Sequence, residues 1–248
     1  MTPDRQPVPI RYSYSFVFDN GTEKRFEFLL DEKTLQLIPH RNSANNPQWT
    51  ALGFNQCDHC PLGSEVEYCP VAVNLTPLID TFKDSLSFEG AQVTVETAER
   101  TYVKKTAVQK GLSSMIGLIM VTSGCPIMDK LRPMARFHLP FASGIETFYR
   151  AISMYLTAQF FIKQEGGEPD WELKNLIGIY KEISRVNKGM SGRLSSASNK
   201  DANINALVIL HAFGEAVPFF VENGLEQIES YFFSYLKNKQ RIADTAQS

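Results

Sequence analysis

The chain has 248 residues, 43% of them apolar, enough to bury a sizeable core in one large domain or two small ones. Its formal net charge of −2, with 25 basic against 27 acidic residues, leaves no global field to recruit nucleic acid or an anionic membrane surface. The opening MTPDRQPVPIR carries three prolines where a secretory signal needs an apolar stretch, and the most apolar run, Met115 to Val121, is far shorter than the roughly 20 residues that span a bilayer. A cytoplasmic protein with neither a membrane nor nucleic acid as partner is expected.

Residues 11–18 alternate, with Tyr12, Tyr14, Phe16 and Phe18 on one face, which is the period of a half-buried strand. Asn20-Gly21 makes a turn, and Phe26, Phe28 and Leu30 continue the alternation, so the chain opens with a hairpin, extended by a third strand at Leu35-Gln36-Leu37. The asparagine-rich stretch 40–47 reads as a loop leading through Trp49 and Phe54 to the first cysteines. From Pro70 to Leu86 the apolar residues Val73, Leu75, Leu78, Ile79, Phe82 and Leu86 recur at helical spacing, in a helix that Pro77 bends or delays. Gln92 to Thr97 and Arg100 to Lys105 predict a second hairpin.

After Thr106 the pattern is helical over about 107–122, 126–137, 144–165, 170–187, 201–222 and 224–242. The small, polar, mildly basic stretch Gly189 to Lys200 reads as a mobile loop, with Asn199 or Asp201 capping the next helix, and Pro218 predicts a kink. The fold class expected is α+β: an N-terminal β-hairpin or meander and a second hairpin, packed on a C-terminal helical bundle. The whole of 1–248 reads as one domain, β-rich over 10–105 with a cysteine segment at 57–70, and helical over 106–242.

The segment C57-D-H-C60-P-L-G-S-E-V-E-Y-C69-P sets three thiols within thirteen residues, and the C-x2-C step lets one short turn aim two sulfurs at one ion. A zinc or iron–sulfur site takes four soft ligands, and the chain holds one more cysteine, Cys125. Cys60, Cys69 and Cys125 are each followed by proline, and the last two open predicted helices, where free N–H groups and the positive dipole end would stabilise thiolate. Cys57, Cys60, Cys69 and Cys125 are therefore expected to converge on a [4Fe–4S] cluster or Zn²⁺, the cluster ranking slightly ahead because iron–sulfur sites commonly include a ligand followed by proline. If Cys125 is instead a buried small hydrophobe, His59 or His40 is the nearest fourth ligand. A thioredoxin-like dithiol at Cys57 and Cys60 lacks the strand-to-helix context that chemistry uses.

Lys130, Arg132, Arg136 and His138 gather just after Cys125. They read as the solvated face of a short helix, and His59, Lys130, Arg136 and His138 are the candidates for a supporting shell around a metal. No Glu-x-x-His pairs exist for a di-iron centre, and His211 with Glu215 reads as a packed histidine and its hydrogen-bond partner. Nucleotide, protease and hydrolase motifs are missing, and the aromatics at 148–161 and 219–235 read as core stripes.

Taken together, the hairpin, the C-x2-C step, Tyr68 to Leu75 (YCPVAVNL) and Ser123 to Leu131 (SGCPIMDKL) resemble a family of uncharacterised bacterial proteins, a resemblance that implies no activity and no catalytic residue. The function expected from the residues is a cytosolic metal-binding protein with a structural or redox four-cysteine site. A redox-active enzyme or electron carrier using the cluster is one alternative, and a thiol-based regulatory or scaffold protein without metal is the other.

Overall fold

Alternation builds the first layer. In β1 (Ile10–Phe18) the side chains of Tyr12, Tyr14, Phe16 and Phe18 are buried while Val17 and Arg11 face out, and β2 (Glu23–Leu30) pairs with it antiparallel, Tyr14 opposite Phe26. The turn between them needs Gly21 at φ +83°, a region costly for residues with a Cβ. The computed structural model describes residues 8–39 and 46–236.

The free edge of β1 takes β3 (Gly90–Glu96), and β4 (Thr101–Ala107) folds back on β3 through a turn closed by the Thr97 N–H on the Arg100 carbonyl at 2.9 Å. The two expected hairpins are thus one antiparallel sheet in the order β2-β1-β3-β4. No third strand forms at Leu35–Leu37. The Asp31 carboxylate accepts the N–H groups of Lys33 and Thr34, Leu35 turns to φ +57°, and Leu37 keeps a single bridge to Leu30.

Helices cover the sheet's apolar face. α1 (Pro70–Phe82) starts with proline in the first turn, where the missing N–H costs nothing, and it runs through Pro77 because Leu75, Leu78, Ile79 and Phe82 are buried along one side. α2 (Val108–Thr122) follows β4 directly and lies against the sheet at Gly111, where a Cβ would sit 2.6 Å from the Phe16 ring.

The single helix expected over 126–137 is instead a 3-10 turn at Met128–Leu131 followed by α3 (Pro133–Arg136). Pro133 has no N–H to offer the Asp129 carbonyl, which takes the Arg132 N–H at 3.0 Å.

α4 (Gly144–Gln164) opens with a capping box in which the Ser143 side chain accepts the Glu146 N–H and the Glu146 carboxylate accepts the Ser143 N–H. α5 (Lys174–Ala197) continues ten residues beyond its expected end and includes most of the stretch read as a mobile loop. α6 (Ala202–Glu222) packs along α5 and α2, with Pro218 inside it. Its N-cap position is Asp201, whose carboxylate is used on the Ser87 N–H and hydroxyl and on the Asn205 side chain rather than as a cap.

The expected helix over 224–242 is reduced, within the described residues, to α7 (Glu226–Glu229) and a 3-10 turn at Ser230–Phe232, while 237–242 lies outside them. A continuous buried apolar cluster extends from Tyr12 in the sheet to Ile228 in α7. Among the described residues α6 is long and apolar enough to cross a membrane by length and composition, with 28% of its most apolar window buried.

Candidate functional site

The cysteine segment is held by a cation the sequence reading placed in a loop. Arg193, 2% exposed near the end of α5, donates from Nη1 to the carbonyls of Trp49 (2.7 Å) and Ala51 (2.8 Å) and from Nη2 to that of Leu52 (2.8 Å). The strand-like crossing of Ala51 and Tyr68, with the Cys69 N–H on the Thr50 carbonyl at 2.8 Å, ties the far end of the segment to the same place. Gly189 and Gly192 let it approach: a Cβ at Gly189 would meet the Cys57 sulfur at 3.0 Å, and one at Gly192 would meet the Asn55 side chain at 3.1 Å.

This arrangement does not make the expected metal centre. Among the described residues no group of three or more His, Cys, Asp or Glu is placed to hold a metal ion. Cys57 packs on α5, Cys69 occupies the N-cap position of α1, and the Cys125 sulfur is buried and accepts the backbone N–H groups of Met128 and Ile127, although the four thiols lie near enough to act on one another electrostatically. His59 turns its Nε2 to the Glu182 carbonyl at 3.0 Å and its Nδ1 to Asp58, and His40 lies outside the described residues.

The reading of the chain as an iron–sulfur or zinc protein is therefore corrected, and with it the redox enzyme or electron carrier that depended on a cluster. The thiol-based regulatory or scaffold alternative does not depend on a cluster. Burial, followed by the neighbouring Cys69, Cys60 and Cys125, pushes the Cys57 thiol up to about 11, and burial also raises Cys125, which disfavours the thiolate at those two positions. All four cysteines are free thiols.

The supporting residues go elsewhere too. Lys130 is exposed, and Arg136 pairs with Glu99 at 3.4 Å across the surface. His211 has a buried Nδ1 without a hydrogen-bond partner, and Glu215 is exposed rather than bonded to it. His138 alone enters a constellation of interest.

A half-open cavity of about 470 Å³ is walled by α2, α4, α5 and α6 and floored by the 128–142 segment. Leu118, Val121, Met128, Ile183, Leu210 and Phe213 give it an apolar lining, into which Ser114, His138, Arg150, Tyr180 and Asn187 set a few polar groups. Apolar walls with sparse, fixed polar groups are the usual build of a small-molecule site, and the volume lies within the range such sites occupy.

The loop 137–143 carries Phe141 at φ +61°, and α6 presents Gly214, whose missing side chain leaves room in the wall: a Cβ there would make only ordinary contact with Asn187 Nδ2 at 3.9 Å and Tyr180 Cδ1 at 4.0 Å.

The polar groups are positioned from behind. His138 Nε2 lies 2.5 Å from the hydroxyl of Tyr14, from β1, and 3.2 Å from that of Ser114, from α2, and the two hydroxyls are 3.0 Å apart. Burial, helped by the Arg150 charge, pushes His138 down to about 3, so the ring is neutral, and burial raises Tyr14 well above the usual phenol range. A Ser–His pair could suggest nucleophilic catalysis, but a general base works best with a pKa near the operating pH, and this nitrogen is already bonded to Tyr14. The node is suited to hydrogen bonding, not to proton abstraction.

Arg150 is held just as firmly: its Nε donates to the Phe137 carbonyl at 3.1 Å and its Nη2 to that of Met134 at 3.0 Å. Burial lowers the pKa of Arg150, and that of Tyr180 is raised for the same reason.

Sequence reading overlooked Arg150, Tyr180 and Asn187. The available signal was a cation, Arg150, in register with Thr147 and Met154 in the middle of an aromatic-rich helix whose other cation, Lys163, lies in its last turn.

Fold and cavity define an α+β protein in which a four-stranded antiparallel sheet carries a helical layer with a half-open, mainly apolar cavity. The chain belongs to the family described as Domain of unknown function (DUF6901), whose model matches residues 10–233. No curated protein and no solved structure matches it.

Proposed function

We propose that the protein binds a small, mostly apolar molecule in the cavity between α2, α4, α5 and α6. The cavity itself carries this reading: about 470 Å³ of apolar-lined space with a neutral histidine and a buttressed arginine in its wall. Burying an apolar ligand there gains roughly 25 cal/mol for each Å² removed from water, and the fixed polar groups orient it at little entropic cost. A cytoplasmic setting is supported by four cysteines that are all free thiols. Action as a single α+β unit is supported by the continuous core from Tyr12 to Ile228.

The test is saturable binding of a neutral apolar fluorophore, N-phenyl-1-naphthylamine, compared with a Gly214→Leu variant that places a side chain in the cavity. Helix propensity favours that replacement, so the variant is expected to fold while binding falls at least about tenfold. Absence of saturable binding to the natural protein, or equal binding to a folded Gly214→Leu variant, would overturn the proposal.

A further inference from the structure

The charged residues lining the cavity are Lys104, Lys110 and Arg150, all cations, and neither aspartate nor glutamate lines it. Lys104 and Lys110 are exposed, whereas Arg150 is half-buried in the wall. Among the described residues no carboxylate makes an ion pair with Arg150. The acid that most influences it, Glu146, has its carboxylate committed to the Ser143 N–H and hydroxyl at the start of α4. The two carbonyls that fix Arg150 use Nε and Nη2, which leaves the donors of Nη1 without a protein acceptor among the described bonds.

A half-buried guanidinium held in place with spare donors is favourable opposite an anion, and its planar fork suits a carboxylate. The apolar walls add a second selection. Met120, Met128 and Met134 line the cavity beside leucines and isoleucines, and these unbranched, adaptable side chains can follow the shape of a flexible aliphatic chain.

Building on the cavity reading above, we infer that the ligand is an aliphatic monocarboxylate, its head against Arg150 with Lys104 and Lys110 beyond it and its tail along the methionine-rich walls. His138, neutral, together with Ser114 supplies hydrogen bonding without a competing negative charge. Lys104 and Lys110 add attraction that salt will screen, whereas the half-buried contact to Arg150 is screened less.

The experiment is calorimetric titration of the full chain with dodecanoate and with 1-dodecanol, which differ only at the head, below their aggregation concentrations. The carboxylate is expected to bind at least about tenfold more tightly, and Arg150→Met is expected to abolish that preference. Arg150→Lys, which keeps the charge and loses the fork, is expected to keep part of it.

Equal affinity of the natural protein for acid and alcohol would overturn the inference and leave the cavity reading standing. Binding of neither would overturn both. An acid preference that survives in a folded Arg150→Met variant would also overturn it. Should Arg150→Met fail to fold, the acid-to-alcohol comparison on the natural protein and the Arg150→Lys variant decides.

Discussion

His138 shows how one half-buried ring sets a pH response. Its folded pKa is depressed from the ordinary histidine value of 6.5 to about 3, so the folded protein stays neutral there while the unfolded chain takes up a proton. The contribution of His138 to stability is therefore fully present above about pH 6.5 and is lost progressively as the pH falls toward about 3, with a slope of at most about 1.4 kcal/mol per pH unit. In His138→Gln the difference in urea midpoint between about pH 7 and about pH 5 should shrink relative to the natural protein. An unchanged difference would mean that the ring is hydrated and charged in the fold.

Arg193 gives the opposite case, a buried cation kept for its hydrogen bonds. Arg193→Met leaves the carbonyls of Trp49, Ala51 and Leu52 without their donor and should cost about 3–5 kcal/mol in urea denaturation, with Arg193→Lys recovering part of the loss.

Among the elements, the strands were readable because their alternation is local: Tyr12 to Phe18 and the valines of β3 identify their own inner face. The end of α5 was not readable. Gly189, Gly192 and the surrounding serines have loop composition, yet they are small because the segment at Asn55 and Cys57 lies against them, and a helix that gains packing overrides weak propensity. The same logic makes Gly111 a close-approach position, since a Cβ there would meet the Phe16 ring at 2.6 Å and Val93 at 3.0 Å. Gly111→Ala should therefore lower stability by about 1–3 kcal/mol through overpacking, against the gain that alanine brings at an exposed helix position. Thermal denaturation of Gly111→Ala beside Gly178→Ala, where nothing lies within 4 Å of the added methyl, distinguishes the two effects.

At the scale of the whole molecule the sheet, α1, α2 and the later helices share a continuous core, so unfolding should be one cooperative event. Far-ultraviolet circular dichroism and the fluorescence of buried Trp49 should give coincident urea transitions. Separated midpoints would show that the helical part is an independent unit.

From its sequence alone this chain reveals the α+β class, the paired strands, the helix starts at Pro70 and near Val108, and the turn at Gly21, because each depends on neighbours within a few residues. The tertiary structure decided the site. Four cysteines invited a ligand count, but side-chain placement, not spacing, determines whether thiols coordinate, and among the described residues no group of three or more is placed to hold a metal ion. The cavity was invisible for the same reason: Tyr14, Ser114, His138 and Arg150 come from separate elements, and nothing local in any of them records that the fold brings them to one wall.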